Sequence, residues 1–334
     1  MLRIACRSAV WPPPLESAIQ EAFGLETRTE NFPIVPTADL QPLSDNDILA
    51  AAEAEGLNGP DFISAVKKSG VTTLALHPVT LRLLLTEFRV SGILPISRTE
   101  LFEKGVVRLI EEREERRDIG LAVDSAALIR SASNLACFMV LTGRGSVDLG
   151  DEAETGSLTR HELASGPLPV SEPELRALAR TGLFDSDGSR SFSFAHRQFA
   201  EFLAGRRIGQ TMRPHEAKKL LSTTLGPGSG VAGPLRETAA FAAHFSTEIA
   251  DWLAQTDPEV LAISEIADDS LKRLATKALV NAFRDHRLTD SQLHRDGFNL
   301  LGLKYANAEK DIRPLLAERG QGIEDVLECA IEIV

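Results

Sequence analysis

The sequence predicts a mainly helical protein of two or three domains. Its 334 residues provide for about two domains at roughly 150 residues each. From Leu43 onward, apolar residues recur at helical spacing between N-cap signatures and glycine or proline stops. The hydrophobic content of 43% and charged content of 25% are typical of a globular chain, which excludes a random coil over the whole length.

Composition and charge also limit the kinds of partner and the cellular compartment that we expect for this protein. The 36 Lys and Arg against 48 Asp and Glu give a net charge of −12, which argues against a large nucleic-acid interface. Three scattered cysteines, Cys6, Cys137 and Cys329, cannot build a disulfide framework and suit a reducing compartment. Because the sequence has neither 18 uninterrupted apolar residues nor a signal-peptide pattern, we expect a cytoplasmic protein without a membrane partner.

The first 38 residues contain two short strand candidates. Leu2–Cys6 is followed by Arg7 and then by three consecutive prolines, which cannot continue a strand. Phe32–Val35 contains Pro33 and is at best an edge strand. Two lone strands do not make a stable sheet, so they either pair weakly or belong to a sheet that lies outside this chain.

Residues 39–120 are predicted as a small helical domain. Ser44 with Asp47, and Ser97 with Glu100, are capping-box patterns that begin helices. The predicted elements are a helix from Ser44 ended by Gly56 and Asn58-Gly59-Pro60, a helix over Asp61–Lys68, a helix from Pro78 stopped by Gly92 and Pro95, and a long helix from Ser97 whose solvated tail is the charge run Glu111–Arg117.

Residues 121–210 contain a hairpin between helices. A helix over Asp124–Leu141 precedes a polar stretch, 143–169, that predicts a loop, and a helix over Glu172–Thr181 follows. Leu183-Phe184 and Ser191–Phe194 flank a turn at Asp185–Gly188, and alternating Phe and Ser give the hairpin one buried face. Helices, a hairpin and then another helix predict a variant of the winged-helix domain.

Residues 211–334 are predicted as a helical-repeat segment. Gly226–Pro234 has the composition of a linker. The helices predicted after it cover Leu235–Phe245, Thr247–Gln255, Asp257–Ile263, Ser270–Arg284, Ile312–Arg319 and Ile323 to the end. Short antiparallel helix pairs of this kind resemble a HEAT-like solenoid.

Several catalytic signatures are missing from the sequence. It has no Gly-x-x-x-x-Gly-Lys-Ser/Thr phosphate loop, no Cys or His pair at metal-ligand spacing and no Gly-x-Ser-x-Gly elbow. The remaining signal is an ordered set of segments. They are Ile4-Ala5-Cys6-Arg7, then Leu40-Gln41-Pro42-Leu43-Ser44, then Leu76-His77-Pro78 with the apolar helix after it, then Gly92-Ile93-Leu94-Pro95 before Ser97-Arg98-Thr99-Glu100-Leu101-Phe102-Glu103, and finally Phe192-Ser193-Phe194-Ala195-His196-Arg197-Gln198-Phe199-Ala200-Glu201-Phe202-Leu203-Ala204-Gly205-Arg206-Arg207.

In this order and spacing the set resembles the NACHT branch of the STAND signalling P-loop NTPases, over roughly residues 1–208. The resemblance implies three nucleotide-binding residues. Arg7 is similar to the sensor-1 arginine that reads the γ-phosphate, and Pro78 to the helical-domain proline near the adenine, although His77 stands where the family more often has Gly or Asn. His196 is similar to the winged-helix histidine that contacts the β-phosphate of ADP in the resting state. A purely structural role stays open for each of the three.

The resemblance implies a fragment of an ATP/ADP-controlled signalling switch, of a bacterial regulatory or antiviral-defence type. Residues 1–38 would be the residual α/β edge of the NTPase core, beginning at sensor 1. Because the segments that bind phosphate and Mg²⁺ in the family are missing, we predict that this chain alone is not an active ATPase and that ATP/ADP with Mg would require the missing NTPase half. Other implied partners are further copies of the chain in the active state and a protein ligand of the helical repeats.

Two other classes of function stay open. A stand-alone helical interaction module without nucleotide binding is the main alternative. A DNA-binding regulator is disfavoured, because the helix 172–181 balances Arg176 and Arg180 with Glu172 and Glu174 instead of being basic.

Overall fold

The computed structural model describes residues 42–317 except 70, 77, 96, 112–123, 151–155, 188–190, 224–229, 265, 267, 286–287 and 289–299. In this part the chain is mainly helical with one small sheet, as the sequence predicts. The predictions for 1–38, for most of Glu111–Arg117 and for the helix from Ile323 fall outside the described residues.

Four helices form an N-terminal bundle: α1 (Asp45–Ala54), α2 (Gly59–Lys68), α3 (Thr72–Ala75) and α4 (Pro78–Ser91). The predicted capping box is present, since the Ser44 N–H donates to Asp47 Oδ2 at 2.8 Å and the Asp47 N–H donates to Ser44 Oγ at 3.3 Å. The predicted start of α2 is wrong by two residues. Asn58 is its N-cap and accepts from the Asp61 N–H at 3.1 Å, so Asn58-Gly59-Pro60 begins a helix instead of only ending one.

A long helix connects the bundle to the rest of the protein. This helix is α5 (Arg98–Glu111), and the Ser97 hydroxyl accepts from the Glu100 N–H at 3.1 Å at its start, as predicted. α4 packs on α5, which in turn packs on α6 (Ser125–Thr142) and on α9 (Arg197–Thr211). α5 therefore packs against the N-terminal bundle and also against the helices that follow it in the chain.

α6 is a core helix between Asp124, which caps it, and Gly143, whose φ of 69° ends it in the left-handed region. Among the described residues it is the one helix long and apolar enough to cross a membrane. Half of it is buried inside the protein, as expected of a helix that packs on several neighbours.

The sheet has the strand order β2-β1-β4-β3. Its strands are β1 (Ser146–Asp148), β2 (Ser157–Thr159), β3 (Phe184–Asp187) and β4 (Ser191–Phe194), with α7 (Arg160–Ser165) and α8 (Glu172–Leu178) between β2 and β3. β1 pairs parallel to β2 and antiparallel to β4, which places Val147 beside both Leu158 and Phe192. β3 and β4 form the predicted hairpin, with Phe184 opposite Phe194.

Two sequence predictions are wrong in this region. The segment 143–169 is not simply a loop, because it contains β1, β2 and α7. The hairpin turn is also misplaced. Asp185 pairs with Ser193 and Asp187 with Ser191, so residues predicted as turn extend β3 instead.

The C-terminal part is helical, as predicted. Its elements are α10 (Pro214–Leu221), a 3-10 turn (Gly233–Leu235), α11 (Arg236–Phe245), α12 (Thr247–Thr256), α13 (Pro258–Ala262), α14 (Asp269–Arg284), a second 3-10 turn (Leu300–Leu303) and α15 (Ala308–Ala317). The prediction of a linker is wrong from Gly230 onward. Val231 is buried, forms a bridge with Ser222, and donates its N–H to Asp257 Oδ2 at 3.1 Å.

Buried side chains form two apolar clusters. The first belongs to the N-terminal bundle and runs from Ile48 to Leu101. The second, which we call the main core, runs from Phe102 to Ile312 and includes residues of α6, the sheet, α9 and the C-terminal helices. Apolar packing is thus continuous across position 210, where the sequence suggests a domain boundary.

Candidate functional site

The sequence names Arg7, Pro78 and His196 as nucleotide-binding candidates. Arg7 lies outside the described residues. Pro78 is the first residue of α4 and is exposed. The Thr80 hydroxyl donates to the Leu74 carbonyl oxygen, and the Leu43 N–H donates to the Leu76 carbonyl at 2.8 Å. The first bond holds the start of α4 against α3, and the second joins the residue before the N-cap of α1 to the residue after α3.

His196 is the N-cap of α9 and is partly buried. Its backbone is extended, at φ −140° and ψ 133°, and its side chain makes no capping hydrogen bond to α9. The imidazole lies beside Phe199, with 6.2 Å between the ring centroids. The Ala195 N–H donates to the Leu183 carbonyl at 3.0 Å, so the hairpin positions the residue that precedes His196.

A three-residue contact joins these two helices within two turns of their starts. Gly105 on α5 faces both Leu83 on α4 and Phe199 on α9, since a Cβ at Gly105 would lie 3.1 Å from Leu83 Cδ2 and 3.7 Å from Phe199 Cε1. Leu83 is five residues after Pro78, and Phe199 is three residues after His196. At a rise of 1.5 Å per residue, the start of α4 lies about 7.5 Å from that contact along its helix axis. The start of α9 lies about 4.5 Å from it along its own axis.

Arg197 and Glu201 support the start of α9, and sequence reasoning gave neither of them a role. Arg197 Nε donates to Glu201 Oε1 at 2.8 Å, and its Nη2 donates to the Pro234 carbonyl at 3.2 Å. The Glu201 side chain is fully buried, whereas that of Arg197 is about half exposed. The Arg-x-x-x-Glu spacing in the quoted string is the signal that could have identified this i,i+4 pair.

The groups at this site are suited to binding rather than to bond-making. An imidazole at the start of a long helix offers a hydrogen-bond partner beside backbone N–H groups, where the helix dipole favours anions. Within the described ranges, no three His, Cys, Asp or Glu side chains gather as a metal site. A phosphate oxygen is the kind of ligand that such a helix start accommodates.

A separate cleft of about 590 Å³ lies at the far end of α9. Gly209 and Met212 are thirteen and sixteen residues from His196, which corresponds to about 20 Å or more along the helix. The other lining residues come from the starts of α10, α12 and α14 and from the end of α11; they include Pro214, His244, Phe245, Glu248, Asp268 and Leu271. The cleft is therefore distinct from the neighbourhood of Pro78 and His196.

Comparisons with protein families and with curated proteins gave no match. No protein-family model matches the chain, and no curated protein matches it. The resemblance to NACHT proteins therefore depends on the residue pattern alone, and the function is a proposal.

Proposed function

We propose that this chain is the lid portion of a NACHT-type, ATP/ADP-controlled signalling switch, in which His196 contacts the β-phosphate of ADP and Pro78 lies near the adenine. The observation that carries the proposal is the shared contact of Leu83, Gly105 and Phe199, which joins α4 and α9 within two turns of their starts. A nucleotide bound between them would touch both helix starts. The phosphate loop, the metal ligands and the chemistry would come from another stretch of polypeptide, so the chain itself is not catalytic.

The order of elements supports the finer assignments. α6, β1, α7, α8, β3 and β4 occur in the order helix, strand, two helices and a hairpin, which is the order of a winged-helix domain, and β2 is an additional edge strand inserted between β1 and α7. The sheet order places β4 between β1 and β3, as that domain requires. α11 to α14 are short consecutive helices that pack on their neighbours, as in a HEAT-like array. We assign to this array the binding of a protein ligand, and to the active state an assembly of several copies in the cytoplasm.

The DNA upstream of Met1 gives the first test. The proposal expects an in-frame Gly-x-x-x-x-Gly-Lys-Ser/Thr, followed by an apolar strand that ends in acidic residues. A stop codon in frame, with a ribosome-binding site directly before Met1, would contradict it.

The second test uses the protein expressed from the longer frame. We expect it to retain ADP through purification, and His196→Ala to lose that ADP because the β-phosphate contact is gone. His215→Ala is the matched control, since His215 is exposed on α10 and lies far from the site. Equal ADP content in wild type and His196→Ala would refute the role of His196. The chain that begins at Met1 should not hydrolyse ATP.

The second candidate is a stand-alone interaction module. The continuous main core favours it, because the buried apolar residues from Phe102 to Ile312 pack against one another as a single cluster. It predicts that the chain from Met1 is stable alone and that ADP at millimolar concentration leaves its unfolding temperature unchanged.

A further inference from the structure

The N-terminal bundle and the main core meet at α5. Leu101 belongs to the bundle cluster, and the next residue, Phe102, belongs to the main core. Leu83 on α4 is partly buried against both clusters. One helix and its neighbours therefore make the apolar connection between the two parts.

A polar contact at the first residue of α5 reinforces that connection. Arg98 Nη2 lies 2.5 Å from Glu237 Oε2 on α11, a residue 139 positions later in the chain. The Arg98 guanidinium also lies over the Phe241 ring, with its Cζ 4.3 Å from the centroid. Glu237 and Phe241 are four residues apart and so share one face of α11. Arg98 thus engages two groups of the main core at once.

The placement of Arg98 is costly without these partners. A cation at the first position of a helix opposes the helix dipole, and the Arg98 side chain is only 10% exposed. A planar guanidinium can make an ion pair and stack on an aromatic ring together, which lysine cannot do equally well. The contact is nevertheless accessible from solvent, because the Glu237 side chain is 29% exposed.

We propose that Arg98, Glu237 and Phe241 form a releasable latch, and that its opening frees the N-terminal bundle, α1–α4, to move as one unit against the main core. The inference goes beyond the proposed function and does not depend on nucleotide binding. The bundle has its own apolar cluster, so it can stay folded when the latch opens. The latch differs from ordinary core packing because it depends on an ion pair, so removal of the charge at a single position should open it.

Hydrogen exchange with peptide resolution tests the latch on the whole chain. For Arg98→Ala we expect exchange in peptides from 45–91 to rise together, by roughly tenfold to a hundredfold, as is typical for loss of a charged hydrogen bond. Peptides from α6 and α9 should keep their wild-type exchange. Arg89→Ala is the matched control, since Arg89 pairs with Glu55 inside the bundle with both side chains about half exposed. That variant should leave exchange in 45–91 within about twofold of wild type.

Two further variants keep the test decisive if Arg98→Ala folds poorly. Glu237→Gln keeps the shape and removes the charge, and it should raise exchange in the same bundle peptides. Arg98→Lys keeps the charge and loses the planar stacking, so its effect should be intermediate. Unchanged exchange in 45–91 for Glu237→Gln would overturn the proposal, and so would an equal rise in the bundle, α6 and α9.

Discussion

The crossing of α9 and α11 provides the sharpest prediction about stability. Gly205 lies where the two helices are in close contact, and a Cβ there would stand 2.6 Å from both the Thr238 carbonyl oxygen and Phe241 Cβ. Gly209, one turn later, faces α11 in the same way, with 2.5 Å to the Ala242 carbonyl oxygen. All three obstacles are backbone oxygen or Cβ atoms that no rotamer change can move.

The perturbation is Gly205→Ala. Cβ contacts closer than 3.0 Å essentially do not occur, so the helices must move apart by about 0.4 Å from the 2.6 Å approach. To reach an ordinary van der Waals contact of 3.4 Å, they must move apart by about 0.8 Å. Overpacking of this kind costs about 1–3 kcal/mol, and the better helix propensity of alanine returns up to about 1 kcal/mol. We expect the free energy of unfolding to fall by about 1–2 kcal/mol.

Urea unfolding followed by the fluorescence of Trp252 is the assay, because Trp252 lies on α12 and packs against the main core. Trp11 is replaced by Phe in all variants so that one tryptophan reports. With an m value of about 3 kcal/mol per molar, the midpoint should fall by about 0.5 M urea. Gly145→Ala is the control, since a Cβ at Gly145 meets nothing within 4 Å. The reasoning is refuted if Gly205→Ala keeps the wild-type midpoint or if Gly145→Ala loses as much.

Three further predictions concern single side chains. Burial raises the pKa of the Cys137 thiol to about 12, so iodoacetamide at pH 8 should leave Cys137 unmodified in the native protein; peptide mass spectrometry checks this, and rapid labelling would contradict it. The hydrogen bond from Arg144 lowers the pKa of Glu162 to about 2, so its stabilising contribution is complete above pH 4.5 and is lost as the pH falls toward 2. In urea unfolding curves at pH 7, Glu162→Gln should therefore lower the free energy of unfolding by less than about 1 kcal/mol, because the Arg144–Glu162 pair is exposed. Near pH 2 the same substitution should leave the free energy of unfolding unchanged. Asp257→Ala should lower the free energy of unfolding by about 1–3 kcal/mol by leaving the buried Val231 N–H unpaired, whereas Asp257→Asn, which keeps an acceptor, should cost less; equal losses would count against this hydrogen bond.

Elements with local signals were predictable from the sequence. A capping box needs only residues three positions apart, which is why the start of α1 at Ser44 and Asp47 was predicted correctly. Asp124 and Gly143 likewise delimit α6 by local backbone chemistry. In both cases the deciding interaction is made within one turn of the helix end.

The region 143–169 was mispredicted because its structure depends on distant partners. β1 and β2 have three residues each, with one apolar residue at the centre of each, Val147 and Leu158. Three residues are too few for a period-2 pattern to be recognised. β1 exists because it pairs with β4 about 45 positions later, where Phe192 covers Val147. Local propensity carries no information about that pairing.

In the candidate site, too, local features were predictable from the sequence, whereas contacts between distant residues were not. Pro78 and His196 were named from a residue pattern, and both begin helices in the structure. The contact that relates them depends on the absence of a side chain at Gly105, which only the packed structure reveals. The Arg98–Glu237 contact joins residues 139 positions apart, and the capping-box pattern around Arg98 carries no information about Glu237.

The packing also decides where a switch of the proposed kind can move. α9 and α11 cross at backbone contact through Gly205 and Gly209, and Arg197 further ties the start of α9 to Pro234. Parting these helices would open the main core to water, so residues on both sides of position 210 must move together. The bundle is joined to the main core through α5, with a solvent-accessible ion pair at its first residue. A conformational change driven by a nucleotide at His196 would therefore displace the N-terminal bundle, and the hinge would lie near the first turn of α5 and not in the segment after α9.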